Sequence, residues 1–298
     1  MRSSPGESPP EGSRGTKGRL FVVGTPIGNL EDLSPRAARI LAEADAIFCE
    51  DTRVTAKLAA RSGSAASRVS CPAPREGSRV PELLERLSRG ETVALVSDAG
   101  MPAVSDPGER LVGAAAAAGF AVEVVPGPSA PAAALAVSGL PAVPHFFAGF
   151  LPSRAGERRR ALERLRDREE TLVWFEAPHR LVASLADAAD VLGDRRASVS
   201  RELTKLHEET MRGTLPELAA AFGGRGTGRG EVTIVVAGNP GDERPRATAQ
   251  TIDEEVRKAL AAGRSKRELS RDIARRLGSA ARDVYARALE IERGRGEE

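Results

Sequence analysis

The chain has 298 residues, 41% of them hydrophobic and 29% charged, with a net charge of +2 at neutral pH. That is the composition of an ordinary globular protein with room for two or three domains, and cores built from Ala, Val and Leu because aromatics make up only 3%. No apolar run approaches the roughly 20 residues of a membrane span, no secretory leader opens the chain, and Cys49 and Cys71 lack metal-type spacing, so a cytoplasmic protein with free thiols and no metal is expected.

Residues 1–18 contain no apolar residue after Met1 and predict a disordered tail. LFVV at 20–23 predicts a strand, followed by a Gly/Pro loop and a helix opened by Ser34 as cap and Pro35 at its first position. AIFC at 46–49 is the next strand, ending in Glu50, Asp51, Thr52 and Arg53; a helix, a Pro-rich loop at 71–74 and a helix over about 80–89 follow. Strands recur at 93–96 and 122–125, the latter closing in Pro126-Gly127-Pro128-Ser129. Four strands alternating with helices imply a parallel sheet whose turn-rich loops gather at the carboxyl ends of the strands.

A second block starts near Pro144 with FFAGF at 146–150 and an Arg-rich helix. Strands are predicted at 171–175, 197–200 and 231–236, helices at 181–192 and between the RELTK segment (201–205) and the last strand. GGRGTGRG at 223–230 is a flexible loop, because the Lys-Ser/Thr ending of a phosphate loop is missing. A polar linker spans 240–250, and two or three short helices with apolar residues at helical spacing close the chain. The expected fold is α/β: a tail (1–18), two α/β domains (19–143 and 144–240) and a small C-terminal helical domain after a linker (241–298).

The most telling stretch is TVALVSDAGMPAVSDPGE at 92–109. A buried strand breaks into small and turn-forming residues, which is how an open α/β sheet builds a ligand crevice. Gly100 permits close backbone approach, and Asp98 offers a carboxylate to hydroxyls or an amine. No dinucleotide fingerprint, Walker loop or nucleophile elbow occurs, and the three histidines (145, 179, 207) belong to no relay motif. What remains is a crevice of backbone and small polar groups with acids and arginines at its rim, suited to an adenosine-type cofactor and an anionic substrate. Residues 153–168 carry seven Arg against three acids, and 264–287 carry eight basic residues against three acids. Each is either a phosphate-facing patch or a solvated helix face.

Eight motifs occur in order: VGTPIGNL-x-D (23–32), CEDTR (49–53), VSDAGMP (96–102), SDPG (105–108), PGPSA (126–130), GFLP (149–152), EAPHR (176–180) and RELTK (201–205). Together they resemble the small-subunit ribosomal RNA cytidine 2′-O-methyltransferases of the tetrapyrrole-methylase superfamily, over about residues 19–239. The resemblance implies two α/β domains with S-adenosylmethionine in a cleft between them and a homodimer. It also implies that the substrate is the 2′-hydroxyl of a cytidine in the 16S decoding centre, presented on the small ribosomal subunit. It places Thr25, Pro26, Asp98, Ala99, Gly100, Met101, Ser129 and Ala130 in cofactor-binding loops, with Ala177 and Thr233 lining the adenine. Met101 replaces a usual Thr, Pro74-Arg75 a frequent His-Asn pair and Val54 a common His, so neither histidine can be an obligatory base.

For proton removal from the hydroxyl the candidates are Glu50, Asp51, Glu202, Lys205 and His179, with Arg53 beside the acids; Asp51 or Thr52 can equally cap the following helix. Arg53, Arg158, Arg159, Arg160, Arg180, Lys266, Arg267 and Arg271 are the expected RNA contacts, with Arg264, Arg275 and Arg276 in the same C-terminal cluster. The rival readings are a corrinoid or other tetrapyrrole methyltransferase, against which the basic clusters stand, and a non-catalytic RNA-binding or ribosome-assembly module.

Overall fold

The computed structural model of the chain describes residues 18–225, 230–240, 249–277 and 281–295. They divide into two units, one reaching Gly238 and one starting at Asn239. The first half of the first unit runs β1 (Arg19–Val23), α1 (Pro35–Glu43), β2 (Ala46–Cys49), α2 (Thr52–Ser62), β3 (Ser67–Ser70), α3 (Glu76–Ser88), β4 (Thr92–Leu95), α4 (Glu109–Ala117), β5 (Ala121–Val125) and α5 (Ala130–Ser138). Its five strands pair in parallel in the order β3-β2-β4-β1-β5.

Strand alternation sends Phe21, Val23 and Ala94 to one face, against Ile40 and Leu41 of α1. Leu20, Val93 and Leu95 go to the other, against Leu83 and Leu87 of α3 and Leu111 of α4. Burial on both faces is what a parallel sheet with crossover helices requires. Helix α1 starts where its sequence predicts, with Ser34 Oγ accepting the Ala37 N–H at 3.1 Å and Pro35 opening the first turn.

Two expectations need correction here. Gly18, the last residue of the expected tail, donates its N–H to Leu87 O at 3.1 Å, while the rest of that tail lies outside the described residues. Strand β3, SRVS, is absent from the sequence reading because it is a polar edge strand in which only Val69 is buried.

The second half runs β6 (His145–Phe150), α6 (Ala155–Glu163), β7 (Thr171–Glu176), α7 (Leu181–Leu192), β8 (Arg196–Arg201), β9 (Glu209–Thr214), α8 (Leu215–Gly223) and β10 (Val232–Val236). The sheet order is β6-β7-β10-β8-β9, with β6–β7 parallel and the other pairs antiparallel. The helix expected after RELTK is α8; strand β9, absent from the sequence reading, precedes it and is again a polar edge strand. Leu172, Trp174, Val199 and Ile234 pack against α6, α7 and α8 on one face. On the other face Val173 and Val235 meet Ala134 and Leu135 of α5, joined by Ile27 and Leu203. Helix α5 is therefore a shared layer: the first half supplies it and the second sheet buries it.

The C-terminal unit has three helices among the described residues, α9 (Ala249–Ala261), α10 (Lys266–Leu277) and α11 (Ala281–Arg295), around Val256, Leu269, Ile273 and Val284. Residues 226–229 of the Gly-rich loop and 241–248 of the expected linker lie outside the described residues. Among the described residues no helix is long and apolar enough to cross a membrane.

Candidate active site

The loops after β1, β4 and β5 are locked together at the carboxyl edge of the first sheet. A Cβ on Gly24 would lie 2.6 Å from Gly127 N, so two backbones touch where no side chain fits. Thr25 and Gly100 exchange both backbone hydrogen bonds, at 2.9 and 3.1 Å, and Thr25 Oγ1 donates to Ser97 O and Gly100 O, each at 3.3 Å. Asp98 Oδ1 accepts the Asp51 N–H at 3.1 Å, tying the end of β4 to the end of β2.

These fixed loops form one wall of a cavity of about 350 Å³, within the range of small-molecule sites. Its first wall is Ile27, Ala99, Gly100, Met101, Val104, Ser105, Asp106, Ser129, Ala130 and Pro131; its second is Phe150, Phe175, Glu176, Ala177, Pro178 and residues 230–233. The antiparallel β7–β10 pairing puts Glu176 opposite Val232, which is why the second wall gathers at one edge.

Of the ten predicted cofactor-binding residues, Ala99, Gly100, Met101, Ser129, Ala130, Ala177 and Thr233 line this cavity. Thr25, Pro26 and Asp98 do not: Thr25 and Asp98 act behind the wall, as the loop ties just described. Six of the eight motifs contribute lining residues: Ile27, the 99–101 and 105–106 segments, Ser129 with Ala130, Phe150, and 176–178.

Four non-glycine residues among those described have positive φ: Ala103 (64°), Ser105 (66°), Glu202 (50°) and Thr204 (66°). Two belong to the 98–108 loop, which lines the cavity, and two to RELTK, which lies behind the Gly230–Glu231 part of the wall. Such conformations cost on the order of 1–3 kcal/mol each and persist where the surroundings enforce them. On the RELTK side, Glu202 Oε1 accepts from Lys205 Nζ and from the Glu231 N–H, both at 3.0 Å. Gly230 allows this, since a Cβ there would overlap the Glu202 carboxylate.

The acids of the first half are electrostatically crowded. Asp106, absent from the sequence reading although SDPG was singled out, has its carboxyl pushed up to about 6 by burial and by the Glu50 charge, partly offset by a hydrogen bond from Ser97. Burial, then Asp98 and Asp51, raise the Glu50 carboxyl; burial also raises that of Asp98 despite its bond from the Asp51 N–H. Glu76, buried in α3, fixes the loop carrying Asp106: its Oε1 accepts the N–H groups of Gly108, Arg110 and Leu111 at 3.0, 2.7 and 3.3 Å.

Two predicted catalytic groups are poor bases here. Asp51 caps α2 by accepting the Arg53 N–H at 2.8 Å, and hydrogen bonds from Arg53 hold its carboxyl below the usual range. Burial would lower the Lys205 ammonium, but its bonds to Glu202 and Glu231 outweigh that and raise it, so Lys205 stays protonated. Arg53 lies 90% exposed beside Asp51. His179 is exposed, and like Glu50 and Glu202 it is outside the cavity wall.

Two predicted RNA contacts are engaged within the protein. Arg158 is 4% exposed, with Nε donating to Asp187 Oδ2 at 2.8 Å, which holds α6 to α7. Arg180 Nη2 donates to Leu151 O and Pro152 O at 2.7 and 3.1 Å, and its Nε lies 3.0 Å from Glu176 Oε1. Arg159 is exposed but engaged by Asp187 and Asp190 at 3.0 Å each. Lys266 is paired with Glu292 and Arg264 with Asp272, while Arg160, Arg267 and Arg271 are exposed. The side chains of Arg275 and Arg276 lie outside the described residues.

The family model of the Tetrapyrrole (Corrin/Porphyrin) Methylases matches residues 19–219, which takes in every wall segment of the cavity except 230–233. The chain belongs to this family. As a tetrapyrrole-family methylase it is a methyltransferase with S-adenosylmethionine as methyl donor.

It is similar to proteins named ribosomal RNA small subunit methyltransferase I: 44% identical to that of Mycobacterium tuberculosis (CDC 1551), over 94% of this chain and 98% of the other. The Synechocystis protein is 40% identical over 92% and 99%, and the Thermotoga maritima protein 44% identical over 221 residues, 74% of this chain and 99% of the other. Among solved structures, the cobalt precorrin-4 methyltransferase CbiF shares the fold, at TM-score 0.56 and 20% identity over 76% of this chain and 98% of the other.

The cavity suits the methyl donor on two observations. Small residues (Ala99, Ser129, Ala130, Ala177) leave space between two walls, and among the described residues the lining contains Asp106, Glu176 and Glu231 but no basic residue, which favours a sulfonium cation.

Proposed function

We propose that this methyltransferase acts on the ribose 2′-hydroxyl of a cytidine in the decoding centre of small-subunit 16S ribosomal RNA, on the assembled subunit and as a homodimer. The observation that carries the reading is the convergence of six of the eight family motifs on one cavity, in a chain similar over nearly its whole length to proteins named for small-subunit ribosomal RNA. Val124 on the edge strand β5, 54% exposed, supports self-association through that side.

S-adenosylmethionine, when bound, supplies an electrophilic methyl group on sulfur. The residues that would hold it are Ala99, Gly100, Met101, Ser129, Ala130, Ala177 and Thr233, on loops that Thr25, Asp98 and the Gly24–Gly127 contact keep rigid. That rigidity is the main catalytic resource, because an in-line displacement depends on alignment and distance. The ribose hydroxyl is a weak acid, and positioned proton removal contributes on the order of 10²–10⁴-fold. Asp106 is the group for that role: it lines the cavity, and with its carboxyl at about 6 it is ionised at neutral pH yet basic. Glu50, outside the wall, raises the proton affinity of Asp106 by its charge. Exposed Arg53 and Arg160 serve as phosphate contacts on the α/β unit, and Arg267 and Arg271 on the C-terminal unit.

The reading is tested by incubating the enzyme with labelled S-adenosylmethionine and small subunits from a strain lacking the modification, then mapping the labelled nucleoside. Label on a 2′-O-methylcytidine supports it. Label on a base, or none on RNA, contradicts it.

A further inference from the structure

Among the described residues, two apolar side chains of the cavity wall are exposed, Phe150 at 58% and Val104 at 46%, while the other apolar lining residues are buried or half-buried. The pair marks the mouth of the cavity. Apolar surface left in water at the rim of a site favours a ligand that covers it.

Unusual backbone holds both side chains there. The β6–β7 register shifts between Phe147 and Phe150, and Gly149 inside the shift has φ 65°. Such an irregularity re-aims the side chain that follows it. Val104 stands between Ala103 and Ser105, two non-glycine residues with positive φ. A Cβ on Gly149 would lie 3.3 Å from Ser105 Oγ, so the two segments abut. The Phe150 ring is buttressed on one flank by Phe175, centroids 5.3 Å apart and tilted by 54°, and Phe175 packs edge-to-face with Phe147 at 5.0 Å.

Charge decides what can lie on this platform. The lining carries Asp106, Glu176 and Glu231 and, among the described residues, no basic group. Phosphates are repelled from it, whereas a neutral base and its sugar are not. A planar base on Phe150 gains stacking contact whatever its identity.

Resting on the function proposed above, we infer that Phe150 and Val104 form the platform for the nucleobase of the acceptor nucleotide, which enters the mouth unstacked from its RNA neighbours with its ribose toward Asp106. A base stacked on both faces within RNA has none left for Phe150, so the acceptor is a splayed-out nucleotide. The platform is separate from the wall expected around the adenine of the methyl donor. Phe175 stands between them, paired with Phe150 on one side and with Thr233 on the other.

Contact is read with enzyme carrying p-benzoylphenylalanine in place of Phe150, irradiated with unmethylated small subunits in the presence of S-adenosylhomocysteine. The adduct, mapped by reverse-transcription stops, should fall on the nucleotide that the wild type methylates or on its immediate neighbours. Energy is read by affinity. Filter binding of Phe150→Ala to the same subunits should be about tenfold weaker, with calorimetric affinity for S-adenosylhomocysteine within about twofold of wild type. Phe150→Trp should restore subunit binding and Phe150→Leu should not, because an apolar side chain without a flat face does not stack. Val104→Ser, at a residue the fold leaves exposed, should weaken subunit binding a few-fold.

A loss of S-adenosylhomocysteine affinity in Phe150→Ala that Phe150→Trp restores assigns the ring to the methyl donor and overturns the inference. Full rescue by Phe150→Leu, or adducts only on nucleotides remote from the methylated one, overturns it equally. Each of these results, with wild-type transfer to a ribose hydroxyl intact, leaves the proposed function standing. A wild type that labels no RNA overturns both.

Discussion

At the carboxyl edge of the first sheet, Glu50, Asp98 and Asp106 have no ion-pair partner among the described residues, and all three carboxyls are raised by burial and then by neighbouring carboxylates. Across the cavity the second half behaves oppositely. Arg158 is paired with Asp187, Arg180 with Glu176, and Lys205 with Glu202 and Glu231. The first half therefore keeps acids chemically available at neutral pH, whereas the second spends its charges on holding backbone in place. A cation held between two carboxylates neither takes up a proton nor reaches a phosphate, so composition alone overstates what the Arg-rich second half offers RNA.

The largest effect that would sharpen this contrast is on stability. Arg158→Ala removes the buried partner of Asp187 and leaves it only the exposed Arg159, and should cost about 3 kcal/mol. That corresponds to a fall of about 10 °C in melting temperature, with the salt dependence of subunit binding unchanged in the folded fraction. A variant as stable as the wild type, with a shallower salt slope, would return Arg158 to the RNA surface.

Next in size is removal of residues 241–298. The Thermotoga maritima relative is matched over 99% of its length by 221 residues, about the length of the α/β unit alone. Titration calorimetry of the truncated chain should give the same S-adenosylhomocysteine affinity within about twofold, while subunit binding weakens by about tenfold with a reduced salt slope. Unchanged subunit binding would remove the C-terminal unit from the RNA interface.

Arg53→Ala and Arg160→Ala should each weaken subunit binding a few-fold and lower the salt slope by about one unit. If either leaves the slope unaltered in salt-titrated filter binding, that residue is not a phosphate contact. The smallest effect is again on stability. The Asp106 carboxyl lies near 6 when folded against an ordinary 3.8, so its ionised form opposes folding, a cost absent below about pH 4 and complete above pH 6. Asp106→Asn should accordingly melt about 2 °C higher than the wild type at pH 8 and at the same temperature at pH 4. Equal melting at both pH values would mean that Asp106 is not crowded.

How far the sequence reaches follows the same division. Apolar strands buried on both faces announce themselves, as do the Ser34-Pro35 helix start and the small-residue loops. Strands β3 and β9 do not, because each lies at a sheet edge and presents a polar repeat with few buried side chains. In the site, Gly100 is legible from turn chemistry, and Ser129 and Ala130 from the family resemblance. The charged ones are not, because whether a carboxylate or guanidinium is free or paired is decided by residues distant in sequence. Asp98 reads as a ligand group and is a loop tie to Asp51. Asp106 lies in a motif already singled out, and nothing local distinguishes it from a turn former. Phe150 reads as one letter of FFAGF until the register shift and its exposure are seen.

The division between available acids and committed cations is tested most directly by single-turnover methyl transfer to unmethylated small subunits across pH 5–8, with wild type and Asp106→Asn at saturating methyl donor. Proton removal by Asp106 predicts a wild-type rate that rises with pH and levels off above an inflection near 6. In the variant that inflection should vanish and the plateau fall by about 10²-fold, with S-adenosylhomocysteine affinity retained. An identical pH profile and rate in the two proteins would contradict the account.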